Sequence, residues 1–311
     1  MTLGQSSAPI RLSDQPVTYL QAILLGLLQG VTELFPVSSL GHTVILPKLL
    51  GWNDVVAAQS APESYFLAFL VGLHVATALA LLVFFRRTWV DIVRALLSSL
   101  ARRRIDTSTE RLGWLLVVGS IPAGLTGVLF EHAFRTLFAV PIAASIFLFV
   151  NGLILGAAEV VRRRAEVRTV AVQHGLNDES GRRLDTLEFR EASVVGLAQT
   201  FALLAGISRS GITMAVGLVR GLDHEDAARF SFLLATPIIL GAGIYKLPDL
   251  LGPTGQGVLG PVLVGSVAAF VAALVSVRFL SRFFTTRTLT PFAIYCLVAG
   301  GALSIWFGIG N

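Results

Sequence analysis

The stretch Gln29-Gly30-Val31-Thr32-Glu33-Leu34-Phe35-Pro36-Val37-Ser38-Ser39-Leu40-Gly41-His42 decides the reading of this chain. It sets a carboxylate, a proline, two serines and a histidine inside an apolar run. On either side, 17–35 and 38–50 are each short for a bilayer crossing, which takes about 20 apolar residues. Pro36 lacks an amide hydrogen and disfavours a helical residue before it, so a helix should stop there. Ser38 and Ser39 carry side chains that cap a new helix. Gln29 and Glu33, four apart, share one helix face. Broken, polar backbone is costly against lipid but tolerated where it lines a cavity inside the protein. The segment 17–50 therefore reads as a re-entrant helix pair that enters the membrane and turns back.

The design returns at Ala205-Gly206-Ile207-Ser208-Arg209-Ser210-Gly211, within a second re-entrant pair over 191–219. The two segments match without a gap at a constant offset of 170 residues. Ala22, Gly26, Leu27, Gln29, Leu34, Ser38, Gly41 and Thr43 meet Ala192, Gly196, Leu197, Gln199, Leu204, Ser208, Gly211 and Thr213. Further on, Val118-Gly119-Ser120 resembles Val264-Gly265-Ser266, and Pro141 falls where Pro291 does. Six uninterrupted apolar segments lie at 66–85, 112–130, 140–161, 229–248, 258–280 and 290–308, each long enough to span. The sequence thus predicts an all-α polytopic membrane protein, a single membrane domain over 1–311 with six transmembrane helices, two re-entrant helix pairs and an internal repeat. The first repeat takes 17–161 and the second 187–308. Three spans per half is an odd number, so the second half should have inverted topology. The broken tips would then meet near the bilayer interior, as in repeat-built transporters.

Composition agrees. Hydrophobic residues make up 54% of the 311 and charged residues 14%, where soluble domains carry about 25% charged; mean hydropathy is +0.75. The net charge of +5 does not describe a nucleic-acid surface, because the arginines bunch between apolar segments as orientation signals do. Arg86, Arg87, Arg94, Arg102, Arg103, Arg104 and Arg111 fill one loop, and Arg162, Arg163, Arg164, Arg168, Arg182, Arg183 and Arg190 another. With Arg282 and Arg287, these loops are expected in the cytoplasm. Loops near 51–65, 131–139 and 249–257, poor in Lys and Arg, are expected outside together with both termini. In the first basic loop Trp89, Ile92, Val93, Leu96, Leu97 and Leu100 recur at helical spacing opposite Arg87, Asp91, Arg94 and Ser98, which reads as an interfacial helix. Met1–Gln15 has one Arg and no basic run directly before an apolar core, so no cleaved signal is expected. The single cysteine, Cys296, excludes an intrachain disulfide and a cysteine-based metal cluster. It is expected to pack as a small apolar residue.

A carboxylate inside a membrane segment is a functional hypothesis by default. Glu33 can hold a divalent cation through hard oxygen ligands, with Gln29 adding a carbonyl oxygen. It can equally be buried against an Arg from another helix. The helix start at Ser38 and Ser39 offers unpaired N–H groups and a partial positive charge, a site for phosphate. Ser39 and His42, three apart, can face each other as nucleophile and base, or merely cap and hydrogen-bond. Arg209 stands where Ser39 stands in the first motif. Its guanidinium can grip phosphate through two parallel hydrogen bonds, or neutralise Glu33. Ser208 and Ser210 add hydroxyl donors. Brought together, these groups suit a diphosphate: a cation bridges its oxygens, Arg209 and the helix ends hold its charge, and a nucleophile attacks phosphorus.

Gln29-x-x-x-Glu33, then Pro36-Val37-Ser38-Ser39-x-Gly41-His42, then Gly206-Ile207-Ser208-Arg209-Ser210-Gly211 resemble the signatures of the bacterial undecaprenyl-diphosphate phosphatases of the bacitracin-resistance type. The resemblance covers nearly the whole chain in span count, repeat and motif order. It implies hydrolysis of undecaprenyl diphosphate to the monophosphate and phosphate, recycling the cell-wall carrier lipid. It also implies a bacterial inner (plasma) membrane location, a Mg²⁺ or Ca²⁺ cofactor and an active site open to the outer side. It assigns metal or acid–base work to Glu33 with Gln29, the nucleophile to Ser39, and acid–base work or an alternative nucleophile to His42. Phosphate binding falls to Arg209 with Ser38, Ser208 and Ser210. Two departures stand out. Gln29 occupies a position where the family has Glu or Gln, which removes one negative charge, and Ala205 replaces a usual Pro, which should loosen the second break.

The implied partners are the lipid diphosphate and membrane lipids, not nucleic acid, and a homodimer stays open. The same architecture also suits an inverted-repeat transporter or lipid flippase. His74, inside a span, can pack beside the site but is expected to be a hydrogen-bonded core histidine, and His132, His174 and His224 are expected to be solvated. Asp223, Glu225 and Asp226 are expected to start a helix.

Overall fold

The computed structural model describes residues 17–60, 65–130, 140–172, 183–252 and 258–310. Met1–Gln15, the 131–139 loop with His132, and the part of the polar loop at 173–182 with His174 lie outside the described residues. Among those described there are twelve α-helices and no strand: α1 (Tyr19–Thr32), α2 (Ser39–Leu49), α3 (Asn53–Ser60), α4 (Tyr65–Phe84), α5 (Arg86–Arg102), α6 (Ser108–Leu129), α7 (Pro141–Val172), α8 (Phe189–Ala198), α9 (Arg209–Val219), α10 (His224–Leu251), α11 (Leu259–Phe283) and α12 (Thr290–Gly308).

Six of these are long and apolar enough to cross a membrane: α4, α6, Pro141–Ala165 of α7, His224–Lys246 of α10, α11 and α12. They coincide with the six apolar segments of the sequence, and the chain is a polytopic helical membrane protein. Their outward faces suit lipid. On α11, Leu263, Val267, Val271 and Val275 recur every fourth residue and are exposed, while Val262, Ala269, Ala273 and Val277 are buried.

Between apolar helices in lipid, close packing rather than water exclusion holds the assembly, and small residues let backbones approach. Here α1 lies against α11 through Gly26 and Gly30. A Cβ on Gly26 would overlap the Gly265 carbonyl, and one on Gly30 the Ala269 carbonyl. On the other side α8 lies against α6, where a Cβ on Gly196 would press into the Gly119 carbonyl. Helix α7 pairs with α12, while α10 and α11 both flank α4.

The first break is sharper than the proline alone suggested. Helix α1 ends at Thr32, with Glu33 as its C-cap and turns through Val37. The ring of Pro36 would clash with the carbonyl four residues back, which is that of Thr32, so the helix gives way there. The second break differs. Helix α8 stops at Ala198, tightens into a 3₁₀ turn over Gln199–Leu203, and reaches α9 through Gly206 at φ +112°. The expected helical arm over 191–205 is therefore shorter. With Ala205 in place of a proline, the glycine makes the turn, since its conformation is open to few other residues.

Two further differences, at 53–60 and His224, have physical causes, and α5 follows expectation. Residues 53–60, read as loop, form α3, which buries Val55 and Ala58. In α5 Ile92 and Ser99 face the protein and Trp114 Nε1 donates to Ser99 Oγ at 2.9 Å, while Val93, Leu97 and Leu100 are exposed. That apolar outer face beside Arg87 and Arg94 fits an interfacial helix. His224 is not solvated: its Nε2 lies 2.7 Å from Glu159 Oε1, which also accepts from the Leu289 N–H at 2.7 Å. A buried carboxylate needs such partners. Asp223 caps α10 as expected, accepting from Asp226 N–H at 2.6 Å.

Candidate active site

The last turn of α1 delivers Gln29 and Glu33 to the inside of the helix bundle, both buried. Four side chains converge on the Glu33 carboxylate. Its Oε2 accepts from Ser39 Oγ at 2.5 Å and from Gln29 Nε2 at 3.1 Å, and His74 Nε2 stands 3.4 Å away. Its Oε1 accepts from Arg209 Nη2. A carboxylate removed from water is costly unless it is paired and hydrogen-bonded, and this one is supplied by α1, α2, α4 and α9 together.

The two motifs use one local plan. Ser38 is the N-cap of α2, its hydroxyl accepting from Gly41 N–H at 3.2 Å. Ser208 is the N-cap of α9, accepting from Gly211 N–H at 3.1 Å. Each cap is followed at the first helical position by the residue that meets Glu33, Ser39 in one half and Arg209 in the other. The caps also lock together. Ser38 Oγ accepts from Gly206 N–H at 3.1 Å, and a Cβ on Gly41 would stand 2.9 Å from Gly206 Cα. Ser38 holds φ +70° to do this.

The structure thus brings Gln29, Glu33, Ser38, Ser39, Ser208 and Arg209 together. Ser210 turns instead toward backbone, its hydroxyl 3.4 Å from the carbonyls of Glu33 and Phe35. It lies 3.0 Å from Ser208 Oγ. His42 does not pair with Ser39. Its ring folds back on the preceding turn, Nδ1 at 2.6 Å from Ser38 O, and its Nε2 lies 2.8 Å from Tyr295 Oη. The hydroxyl of Ser39 turns to Glu33 instead, so in this arrangement the carboxylate is the base within reach.

Gln29 Oε1 is buried without a hydrogen-bond partner, on the residue the sequence reading offers as a cation ligand. Among the described residues no cluster of three or more His, Cys, Asp or Glu could hold a metal. One carboxylate and one free amide oxygen are hard oxygen donors of the kind a Mg²⁺ or Ca²⁺ ion takes.

The sequence model of the family described as "Bacitracin resistance protein BacA" matches residues 22–302. The chain belongs to the BacA family. An undecaprenyl-diphosphatase of Mycolicibacterium paratuberculosis is 56% identical to it over 94% of this chain and 98% of that one. Undecaprenyl-diphosphatase 2 of Frankia alni is 52% identical over 94% and 99%, and the undecaprenyl-diphosphatase of Granulibacter bethesdensis 43% over 92% and 96%.

Three residues at this BacA-family site were missed or undervalued in the sequence. His74 was read as a core histidine, and its Nδ1 does meet Leu70 O at 2.8 Å, but its other nitrogen faces Glu33. The rule that made Glu33 a candidate, an ionisable group inside a span, would have found it. Tyr295 and Asn151 are single polar residues in spans, and nothing in their local spacing marks them.

Proposed function

We propose that this BacA-family protein is an undecaprenyl-diphosphatase. It hydrolyses undecaprenyl diphosphate to undecaprenyl phosphate and phosphate, recycles the cell-wall carrier lipid and confers bacitracin resistance. The observation that carries the mechanism is the Glu33 carboxylate, bonded at once to the Ser39 hydroxyl and the Arg209 guanidinium. When a diphosphate enters, Arg209 exchanges Glu33 for phosphate oxygens, which it can hold bidentately. Glu33, released by Arg209, keeps its bond to the Ser39 hydroxyl and is the base within reach. The Ser39 oxygen attacks the terminal phosphorus in line as its proton passes to Glu33. The bond to the bridging oxygen breaks, and undecaprenyl phosphate leaves. Water then attacks the phosphoserine phosphorus, the Ser39 O–P bond breaks as Ser39 takes its proton back from Glu33, and the phosphate leaves carrying the water's oxygen and protons. The N–H groups at the starts of α2 and α9 face the charge that develops. His42 keeps an acid–base role, with its ring oriented by Ser38 and Tyr295.

Glu33 and Gln29 would hold a Mg²⁺ or Ca²⁺ ion. Such an ion supplies charge neutralisation to the diphosphate. The unpartnered Gln29 Oε1 supports this assignment.

We further infer an inverted repeat, 17–161 and 187–308, each half opening with a re-entrant pair at 17–50 or 191–219. The matched glycine crossings support it: Gly26 against Gly265 and Gly196 against Gly119 join residues that correspond in the two halves. The arginine-rich loops support a cytoplasmic position for those loops, and membership of the BacA family supports an inner-membrane location with the site open to the outer side.

The test is phosphate release by purified protein in detergent, given undecaprenyl diphosphate and Mg²⁺ with no ion gradient. Release that stops on chelation and returns with Mg²⁺ is the expected result. No release under these conditions would favour a transporter on the same architecture.

A further inference from the structure

Asn151 sits in the middle of α7, a membrane span, and is fully buried. Its carboxamide reaches both motifs. Nδ2 donates to Pro36 O at 2.9 Å, and Oδ1 accepts from the Ser208 N–H at 3.0 Å. The orientation is forced, because a flipped amide would set two acceptors together at Pro36 and two donors at Ser208. Both partners need it. The Pro36 carbonyl lies in the turn beyond α1, and the Ser208 N–H stands at the start of α9, where the helix supplies no acceptor. The surroundings are tight: Cys296 Sγ is 3.4 Å from Nδ2, and a Cβ on Gly211 would stand 3.3 Å from Oδ1.

The positions matter as much as the bonds. Pro36 precedes Ser39 by three residues, and Ser208 directly precedes Arg209. Of the polar ties between the two motifs, the Arg209–Glu33 bond opens whenever Arg209 takes phosphate. Ser38 Oγ to Gly206, Ser210 Oγ to the carbonyls of Glu33 and Phe35, and the Asn151 bridge do not involve the reacting groups, and of these only Asn151 comes from a separate span.

We propose that Asn151 is a positioning residue that fixes the two half-helix starts relative to each other, so that the Ser39 oxygen and the Arg209 guanidinium address one phosphate while the Arg209–Glu33 pair is open. This inference rests on the diphosphatase reading with Ser39 and Arg209 in those roles. Asn151 touches no substrate and acts through the motifs it joins. Asparagine suits the place because it carries a donor and an acceptor on one short, rigid fork.

The experiment compares wild type, Asn151→Leu and Asn151→Ala on undecaprenyl diphosphate, with kcat expressed per folded enzyme from the monodisperse fraction in detergent. Leucine keeps the branched shape and removes both bonds, though it is bulkier than asparagine at a tight site. Alanine leaves room for water, which can satisfy the two groups without holding them in place. Misplacement by about 1 Å costs on the order of 100-fold in rate. The expected result is a kcat lower by about 100-fold for Leu and about 10-fold for Ala, with KM within about threefold, the pattern of an interaction needed in the transition state. If Leu does not fold, Ala alone decides. A kcat per folded enzyme within twofold of wild type, with only the melting temperature lowered, would overturn the proposal and leave Asn151 a packing residue. A raised KM at unchanged kcat would overturn it too. Ser39→Ala run alongside separates the two readings: full activity there sinks the Ser39 mechanism itself, whereas an inactive Ser39→Ala beside unaffected Asn151 variants sinks only this inference.

Discussion

Substitution of Ser38 probes the junction between the two motifs. Ser38 is buried and holds φ +70°, ψ 105°. Its hydroxyl accepts from two N–H groups, those of Gly41 and Gly206. Ser38→Ala removes both bonds. Loss of an N-cap costs about 1 kcal/mol, and leaving a second buried N–H unpaired costs about 1–3 kcal/mol, so the total is about 2–4 kcal/mol. Ser38→Gly loses the same two bonds but escapes the steric cost of a Cβ in the left-handed region, about 1 kcal/mol. Glycine gives back about 0.5 kcal/mol of this in chain entropy on folding, so it ends about 0.5 kcal/mol better than Ala. The expected stability order is Ser, then Gly, then Ala. Thermal unfolding followed by tryptophan fluorescence in one detergent measures it, with phosphate release on the same samples. Activity should fall in both variants, since the Gly206 bond helps to place Arg209. Alanine as stable as serine, or glycine less stable than alanine, would refute the reasoning.

Two other outcomes are expected. Gln29→Glu sets a second carboxylate beside Glu33. The Mg²⁺ concentration for half-maximal activity should fall severalfold, and the chelated protein should melt below wild type because like charges share a buried site. Unchanged Mg²⁺ dependence would remove Gln29 from the cation site. Gly26→Val and Gly196→Val each drive a side chain into the backbone of a facing helix, at Gly265 and Gly119. Each should lose about 1–3 kcal/mol or fail to insert stably, as judged by yield and melting temperature. If only one of the matched pair were harmful, the proposed equivalence of the two crossings would fail.

The helices were legible where the bilayer writes them plainly. Long apolar runs located all six long apolar helices, because length and hydropathy are set by membrane thickness, although α7 runs on to Val172 and α10 starts at His224, beyond the apolar runs themselves. The breaks were legible from Pro36 and Gly206, and the caps from Ser38 and Ser208. The form of the second break was not, since a 3₁₀ turn over Gln199–Leu203 depends on what α6 and α9 leave room for. Glu33, Ser39 and Arg209 were readable as candidates because charge and hydroxyls inside apolar segments demand a reason. Their partners were not readable. Whether Ser39 turns to His42 or to Glu33 depends on which way a side chain folds from a helix start. His74, Asn151 and Tyr295 reach the site from spans far away in sequence.

The central claim is that Ser39 and Arg209, brought to Glu33 by two broken helices, act on one phosphate. Its most direct test is the initial rate of phosphate release from undecaprenyl diphosphate by purified wild type, Ser39→Ala and Arg209→Ala, each shown to be folded. Ser39→Ala is expected to lose nearly all turnover, and Arg209→Ala both turnover and affinity. Wild-type rates from both folded variants would contradict that claim.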